Sequence, residues 1–107
     1  MDTIKFSYNW NNKLSNKAFT TIRLHNPHKY QRGKHYRIEN SGQLTGVALI
    51  QEISTFTIDK LNNFVTYLDT GYNVQDATKL LKTMYKNCVI NWDTQKLDFC
   101  LLVYKKE

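Results

Sequence analysis

The sequence predicts a small α+β fold, a mixed β-barrel with flanking helices, on three observations. Strand-like runs occupy both ends of the chain, and helical periodicity is confined to the stretch between Thr57 and Tyr85. The 107 residues, 41% of them hydrophobic, suffice to close one core and no more, so residues 1–107 are expected to form a single domain.

Taken in order, Ile4, Phe6 and Tyr8 alternate with polar residues as a short first strand. Asn9 or Asn11 is placed to cap a brief helix holding Trp10 and Leu14. Phe19 to Leu24 is rich in β-formers and ends in a polar loop, His25 to Gly33, where Pro27 bars a central strand. Tyr36-Arg37-Ile38 leads to the turn signal Asn40-Ser41-Gly42, and Gln43 to Ser54 follows as a long strand, giving a hairpin. From Thr57, read as an N-cap, the apolar positions Ile58, Leu61, Phe64, Val65 and Leu68 recur at helical spacing until Asp69-Thr70-Gly71-Tyr72 breaks them. Asn73 then caps a second helix with Val74, Ala77, Leu80, Leu81, Met84 and Tyr85 as its apolar stripe. Leu97 to Tyr104 closes the chain as a strand apolar enough to be buried on both faces, and the whole is expected to wrap into a closed or nearly closed barrel.

Composition removes several classes of function. No apolar run approaches the roughly 18–20 residues that span a bilayer, and the first residues lack a signal-peptide stretch, so a cytoplasmic protein without membrane contact is expected. Cys88 and Cys100 form no Cys-x-x-Cys pair and are expected as free thiols. His25, His28 and His35 match no zinc spacing, and neither a glycine-rich phosphate loop nor a Gly-x-Ser-x-Gly elbow occurs, so neither metal nor cofactor is expected.

Charge is more informative. Of the net +6, the whole excess lies in residues 1–40, where eight basic side chains face Asp2 and Glu39, while the other 67 residues carry seven charges of each sign. A one-sided excess of this kind is the footprint of a phosphate-bearing partner. Within it, Lys29-Tyr30-Gln31-Arg32-Gly33-Lys34-His35-Tyr36-Arg37 interleaves aromatics with cations, as backbone neutralisation with base stacking requires; alternatively, Tyr30 and Tyr36 pack on the barrel and the cations face water. Arg23 offers a planar fork to a phosphate or a base edge, or pairs with a carboxylate such as Asp69 or Glu52. Asp69, Thr70 and Tyr72 sit in a loop able to overhang a cleft, with Gly71 as a left-handed helix stop. Trp10 and Trp92 are core plugs or stacking platforms.

A first strand, a short helix, then Lys17-Ala18-Phe19-Thr20-Thr21-Ile22-Arg23, then Tyr30 to Gly33 ahead of a strand, and a helix pair before the last strand together resemble the ASCH domain. In that branch of the PUA-like fold a basic residue precedes a Thr-x-Arg strand and a glycine precedes the next one; the resemblance spans residues 4–104. It implies a small mixed β-barrel of the PUA-like type with a cleft and RNA-related roles. A subset of the family hydrolyses acetylcytidine through a lysine, a threonine three residues later and a glutamate near the helix pair. Aligned on Thr21-Ile22-Arg23, the threonine falls at Thr21, the lysine position reads Ala18, and the glutamate position reads Thr70 with Asp69 beside it. A one-residue shift restores Lys17-x-x-Thr20 but turns every side chain to the opposite face and loses the arginine match.

The expectation is therefore a binding module for RNA or another single-stranded nucleic acid. Lys17, Arg23, Lys29, Arg32, Lys34 and Arg37 meet phosphates while Tyr30, Tyr36 or Tyr72 stacks on a base. Two alternatives stand beside it: an amidohydrolase acting on a modified nucleoside with Thr21 as nucleophile and Lys17 or Asp69 as helper, and a protein that captures a free nucleotide.

Overall fold

The structure, a computed structural model, describes residues 1–106. Five strands, β1 (Thr3–Phe6), β2 (Ala18–Leu24), β3 (His35–Asn40), β4 (Gln43–Thr57) and β5 (Lys96–Tyr104), form one sheet in the order β1-β3-β4-β5-β2. β1 runs parallel to β3 and every other pairing is antiparallel. Helices α1 (Asn63–Thr70) and α2 (Val74–Met84) lie between β4 and β5 in sequence, and 3-10 segments occupy Trp10–Ser15 and Ile58–Lys60. Among the described residues no helix is long and apolar enough to cross a membrane.

The sheet curls into a half-barrel and does not close as expected, because its outer strands β1 and β2 share no ladder. β1 contributes only four residues, and a side chain bridges the gap: Arg23 Nη2 on β2 donates to the Lys5 carbonyl on β1 at 2.8 Å. β4 is long enough to pair first with β3 and then with β5, and Gly46 leaves room there for the Tyr104 ring, 3.0 Å from where a Cβ would stand.

Strand alternation distributes the apolar residues over two cores. Ile4, Phe6, Phe19, Tyr36, Ile38, Ile50, Cys100 and Leu102 form one, while Ile22, Leu61, Leu81 and Leu97 form the other with Phe56, Val65 and Phe99. β5 serves both, with Cys100 and Leu102 facing one core and Leu97 and Phe99 the other. Each fully buried aliphatic side chain contributes roughly 1.5–3 kcal/mol.

The helical region departs from the sequence expectation in phase. β4 continues to Thr57, Ile58–Lys60 is a 3-10 turn, and Asn62 is the cap of α1, its side chain accepting from Val65 N at 3.0 Å. Starting the helix later rotates it, so Phe64 and Leu68, expected in the apolar stripe, are 76% and 56% exposed. The inward face carries Thr66 and Asp69 instead. Gly71 ends α1 in the left-handed conformation (φ 80°), as expected. α2 keeps its expected cap, Asn73, and buries Ala77 and Leu81, while Met84 is half exposed. Cys88 is exposed, Cys100 is buried, and both are free.

Candidate functional site

The opening between β1 and β2 is roofed by the two helices, and beneath them lies a cavity of about 230 Å³. Its walls come from the end of β1 and the two residues after it (Lys5 to Tyr8), the 3-10 segment (Trp10, Lys13), β2 (Thr21 to Arg23) and the inner faces of α1 and α2. Drug-sized ligands occupy pockets of roughly 300–1,000 Å³, so this one suits a smaller group such as one nucleobase.

The charged wall is built from Lys13 and Asp69. Asn11 and Asn12 adopt left-handed conformations (φ 58° and 51°), which asparagine tolerates better than most residues, and the tight turn is held by Leu14 N donating to Asn9 Oδ1 at 2.9 Å. That turn sends Lys13 inward, where its Nζ lies 2.9 Å from Asp69 Oδ1, with side-chain exposures of 5% and 7%. The same carboxylate oxygen accepts from Thr20 Oγ1 at 2.8 Å. Burial pushes the Lys13 pKa below its ordinary value; Asp69 opposes that shift by charge and hydrogen bond, and nearby Arg23 adds to it.

Arg23 is the second anchor. Its Nε donates to Thr21 Oγ1 at 2.8 Å, its Nη2 to the Lys5 carbonyl, and its guanidinium lies 4.7 Å from the Phe6 ring centroid. It pairs with neither Asp69 nor Glu52, the carboxylates weighed for it; Glu52 takes Arg32 instead. Thr66, wholly buried in the cavity wall, has a side-chain oxygen without a hydrogen-bond partner.

Aromatic residues crowd the rim. Tyr8 and Trp10 lie 4.5 Å apart between ring centroids, and Tyr72, 42% exposed, meets Trp10 at 5.7 Å. Trp10 is thus a rim residue, whereas Trp92 packs into the second core beside Tyr85.

Among the sequence candidates, Thr21, Arg23, Asp69 and Thr70 meet at this cavity and Tyr72 at its rim. Thr70 Oγ1 donates to the Thr66 carbonyl and accepts from Tyr72 N, so it shapes the α1 end. Lys17 is exposed on the approach to β2 and lines no part of the cavity; the lysine against Asp69 is Lys13. Its sequence signal, legible in retrospect, is the asparagine cluster Asn9, Asn11, Asn12 immediately before it.

The strip Lys29 to Arg37 does not form the aromatic face expected of it. Strand alternation directs Tyr36 inward, where its hydroxyl donates to the Lys29 carbonyl at 2.7 Å and accepts from Gln31 N at 2.9 Å; Tyr30 is buried in the same core. Arg32 pairs with Glu52 and Lys34 with Asp2, while Lys29 lies 5.7 Å from the Tyr30 ring centroid and Arg37 is exposed on β3. Both tyrosines of this segment are thus withdrawn from solvent, while Arg32 and Arg37 remain exposed.

A separate polar cluster surrounds Asp98, which is 1% exposed and accepts from Thr55 Oγ1, Asn26 N and the His25 ring at 2.7, 3.0 and 2.8 Å. It ties β4, β5 and the loop after β2 together. Among the described residues no three His, Cys, Asp or Glu side chains are grouped to hold a metal ion.

No family model matches the chain, and no curated protein matches it. Among solved structures it is similar to protein EF3133 from Enterococcus faecalis V583, described under the family name DUF984. That similarity covers 100% of this chain and 85% of the other, with a TM-score of 0.66 at 8% sequence identity. Likeness at that identity is likeness of fold.

Proposed function

We propose that the chain binds a nucleotide unit, free or presented by a single-stranded RNA, with one base inserted in the cavity between β1 and β2. The observation that carries this proposal is a cavity of nucleobase size combining cations, an aromatic rim and polar wall groups. Tyr8, Trp10 and Tyr72 supply faces for stacking, worth roughly 1–3 kcal/mol per base. Lys5 and Arg23 place positive charge where a phosphate or a base edge would lie. The exposed Lys17 and Arg37, with the half-buried Lys29, extend that charge over the surface for a longer strand. The curled half-barrel is also what supports our assignment of the chain to the PUA-like type and its ASCH branch.

Titration with ribonucleoside monophosphates and with short single-stranded RNA, followed by tryptophan fluorescence, tests the proposal. Binding should quench Trp10, and Trp10→Ala should weaken affinity at least tenfold. A steep loss of affinity with salt would identify a polymer ligand, and a shallow slope a single nucleotide. Absence of binding to every member of both sets would refute the proposal.

One observation favours the hydrolase alternative: Lys13 and Thr20 both donate to the same Asp69 oxygen, giving a hydroxyl, a proton acceptor and a cation around one carboxylate. In that reading Thr20 rather than Thr21 is the nucleophile, because the Thr20 hydroxyl donates to a carboxylate able to take its proton whereas Thr21 Oγ1 accepts from Arg23, and Lys13 replaces Lys17. Release of acetate from acetylcytidine, abolished by Thr20→Val, would support it; no release by the wild-type chain would remove it.

A further inference from the structure

The phase of the sheet's hydrogen bonding fixes which backbone groups face the cavity. In an antiparallel ladder, directly opposed residues alternate between pairs that exchange both backbone bonds and pairs that exchange none. Tyr104 N donates to Lys17 O and His25 N to Lys96 O at the two ends of the β2–β5 ladder, so the odd-numbered residues of β2 bond to β5. Thr20 and Ile22, opposed to Leu101 and Phe99, therefore direct their N–H and C=O away from β5 toward the free edge. β1 obeys the same logic from the other side. Asp2 and Phe6 give their carbonyls to β3, which leaves those of Thr3 and Lys5 pointing outward, and the Lys5 carbonyl is the one Arg23 reaches.

Ile22 is the residue of this edge that lines the cavity. It is 9% exposed, and the phase of the ladder gives neither its N–H nor its C=O a partner on β5. Buried backbone groups are paired in the great majority of cases, with protein, ordered water or ligand. The side chains on either side restrict what can pair here. Thr20, Asp69 and Lys13 close one end of the opening and Arg23 with Lys5 closes the other, which leaves a window about one residue long. A β-strand added from a partner would need several outward residues in succession, and this window does not offer them.

Resting on the nucleotide-binding proposal, we infer that Ile22 reads the base through its backbone. Its N–H and C=O, side by side on one strand edge, match the adjacent acceptor and donor on the pairing edge of a nucleobase. The cyclic amide of uracil or guanine and the amidine of cytosine or adenine each present one acceptor next to one donor, so the pair of bonds recognises a base without demanding a particular one. Specificity then falls to the surrounding side chains, Arg23 and the Thr66 hydroxyl, both in the same wall.

The test uses the full chain labelled with nitrogen-15 and titrated with the four ribonucleoside 5′-monophosphates. For the one that binds best, the Ile22 amide resonance should move and its hydrogen exchange should slow at least tenfold. Methylation of the ring nitrogen on the pairing edge should weaken binding at least tenfold. If the nucleotide shifts the Trp10 indole while Ile22 exchange is unchanged and the methylated form binds equally well, backbone readout is overturned and the cavity remains a nucleotide site. If no monophosphate and no short single-stranded RNA perturbs any resonance, the nucleotide-binding proposal fails and this inference falls with it.

Discussion

Replacing Lys13 by Met removes the ammonium from a carboxylate that has little solvent to turn to, since the Lys13 and Asp69 side chains are 5% and 7% exposed and 2.9 Å apart. Stranding one member of a buried pair costs about 3–5 kcal/mol, several times the roughly 0–1 kcal/mol of an exposed pair such as Arg32 with Glu52. Thr20 still donates to Asp69 in the variant, and the cavity admits water, so the lower end, about 3 kcal/mol, is expected. With a urea slope of about 1–3 kcal/mol/M, the unfolding midpoint should fall by about 1–3 M, a large change for a domain whose total stability is about 5–15 kcal/mol. Asp69→Leu should cost a similar amount, whereas Lys13→Met with Asp69→Leu should lie within about 1 kcal/mol of wild type or above it, because both desolvated charges are gone. The pH dependence has a definite sign. Burial lowers the pKa of Lys13 from its ordinary 10.5, so the native state sheds this proton before the unfolded chain does. The stability linked to it is present above 10.5 and lost as pH falls through the depressed native value, a feature Lys13→Met should lack. Additive single effects in urea denaturation, each below about 1 kcal/mol, would refute the coupled buried pair.

Three further outcomes separate architecture from site. Asp98→Ala leaves the Thr55 hydroxyl, the Asn26 N–H and the His25 ring without their acceptor; a loss of about 3 kcal/mol should appear as a fall of roughly 10–20 °C in melting temperature, with nucleotide affinity unchanged. Tyr36→Phe should cost about 1–3 kcal/mol in urea unfolding and leave nucleotide titrations unaltered; weakened binding would restore Tyr36 as a stacking residue. Cys88 should alkylate in the native protein at pH 8, whereas Cys100, buried with its thiol pushed up to about 12, should react only on unfolding, as peptide mapping would show.

Much of the strand framework was legible because period-two alternation survives in the edge and central strands alike: Ile4 with Phe6 and Tyr36 with Ile38 went where the pattern sends them. The caps at Asn73 and Gly71 were legible for the same kind of local reason, a side chain or a missing Cβ acting within a few residues. What sequence did not disclose were consequences of distance. Whether β1 and β2 meet depends on the length of β1 and on one arginine, and the lysine of the site depends on two left-handed asparagines that turn Lys13 toward a helix 56 residues away. The interleaved strip Lys29 to Arg37 misled because charge and aromatic composition carry no face; alternation in β3 buried Tyr36 and left Arg37 outside.

The phase of α1 carries the functional interpretation furthest. A helix packed on a sheet normally turns its apolar stripe inward, yet α1 exposes Phe64 and Leu68 and turns Thr66 and Asp69 toward the sheet. Leaving two large apolar side chains in water forgoes roughly 1.5–3 kcal/mol each relative to burial, and the inward face adds a desolvated carboxylate and an unpartnered hydroxyl. The N–H and C=O of Ile22, turned away from β5, and the Lys5 carbonyl that Arg23 reaches lie at the same cavity wall. Departures from the packing rule are expected where a fold has a task other than stability, and in this chain they converge on one small volume. A Phe64→Lys change is therefore predicted to be nearly neutral for stability, within about 0.5 kcal/mol by urea unfolding, because the outer face of α1 contributes nothing to the core; a loss above about 2 kcal/mol would mean that α1 packs in the opposite phase and would remove the polar wall from the site.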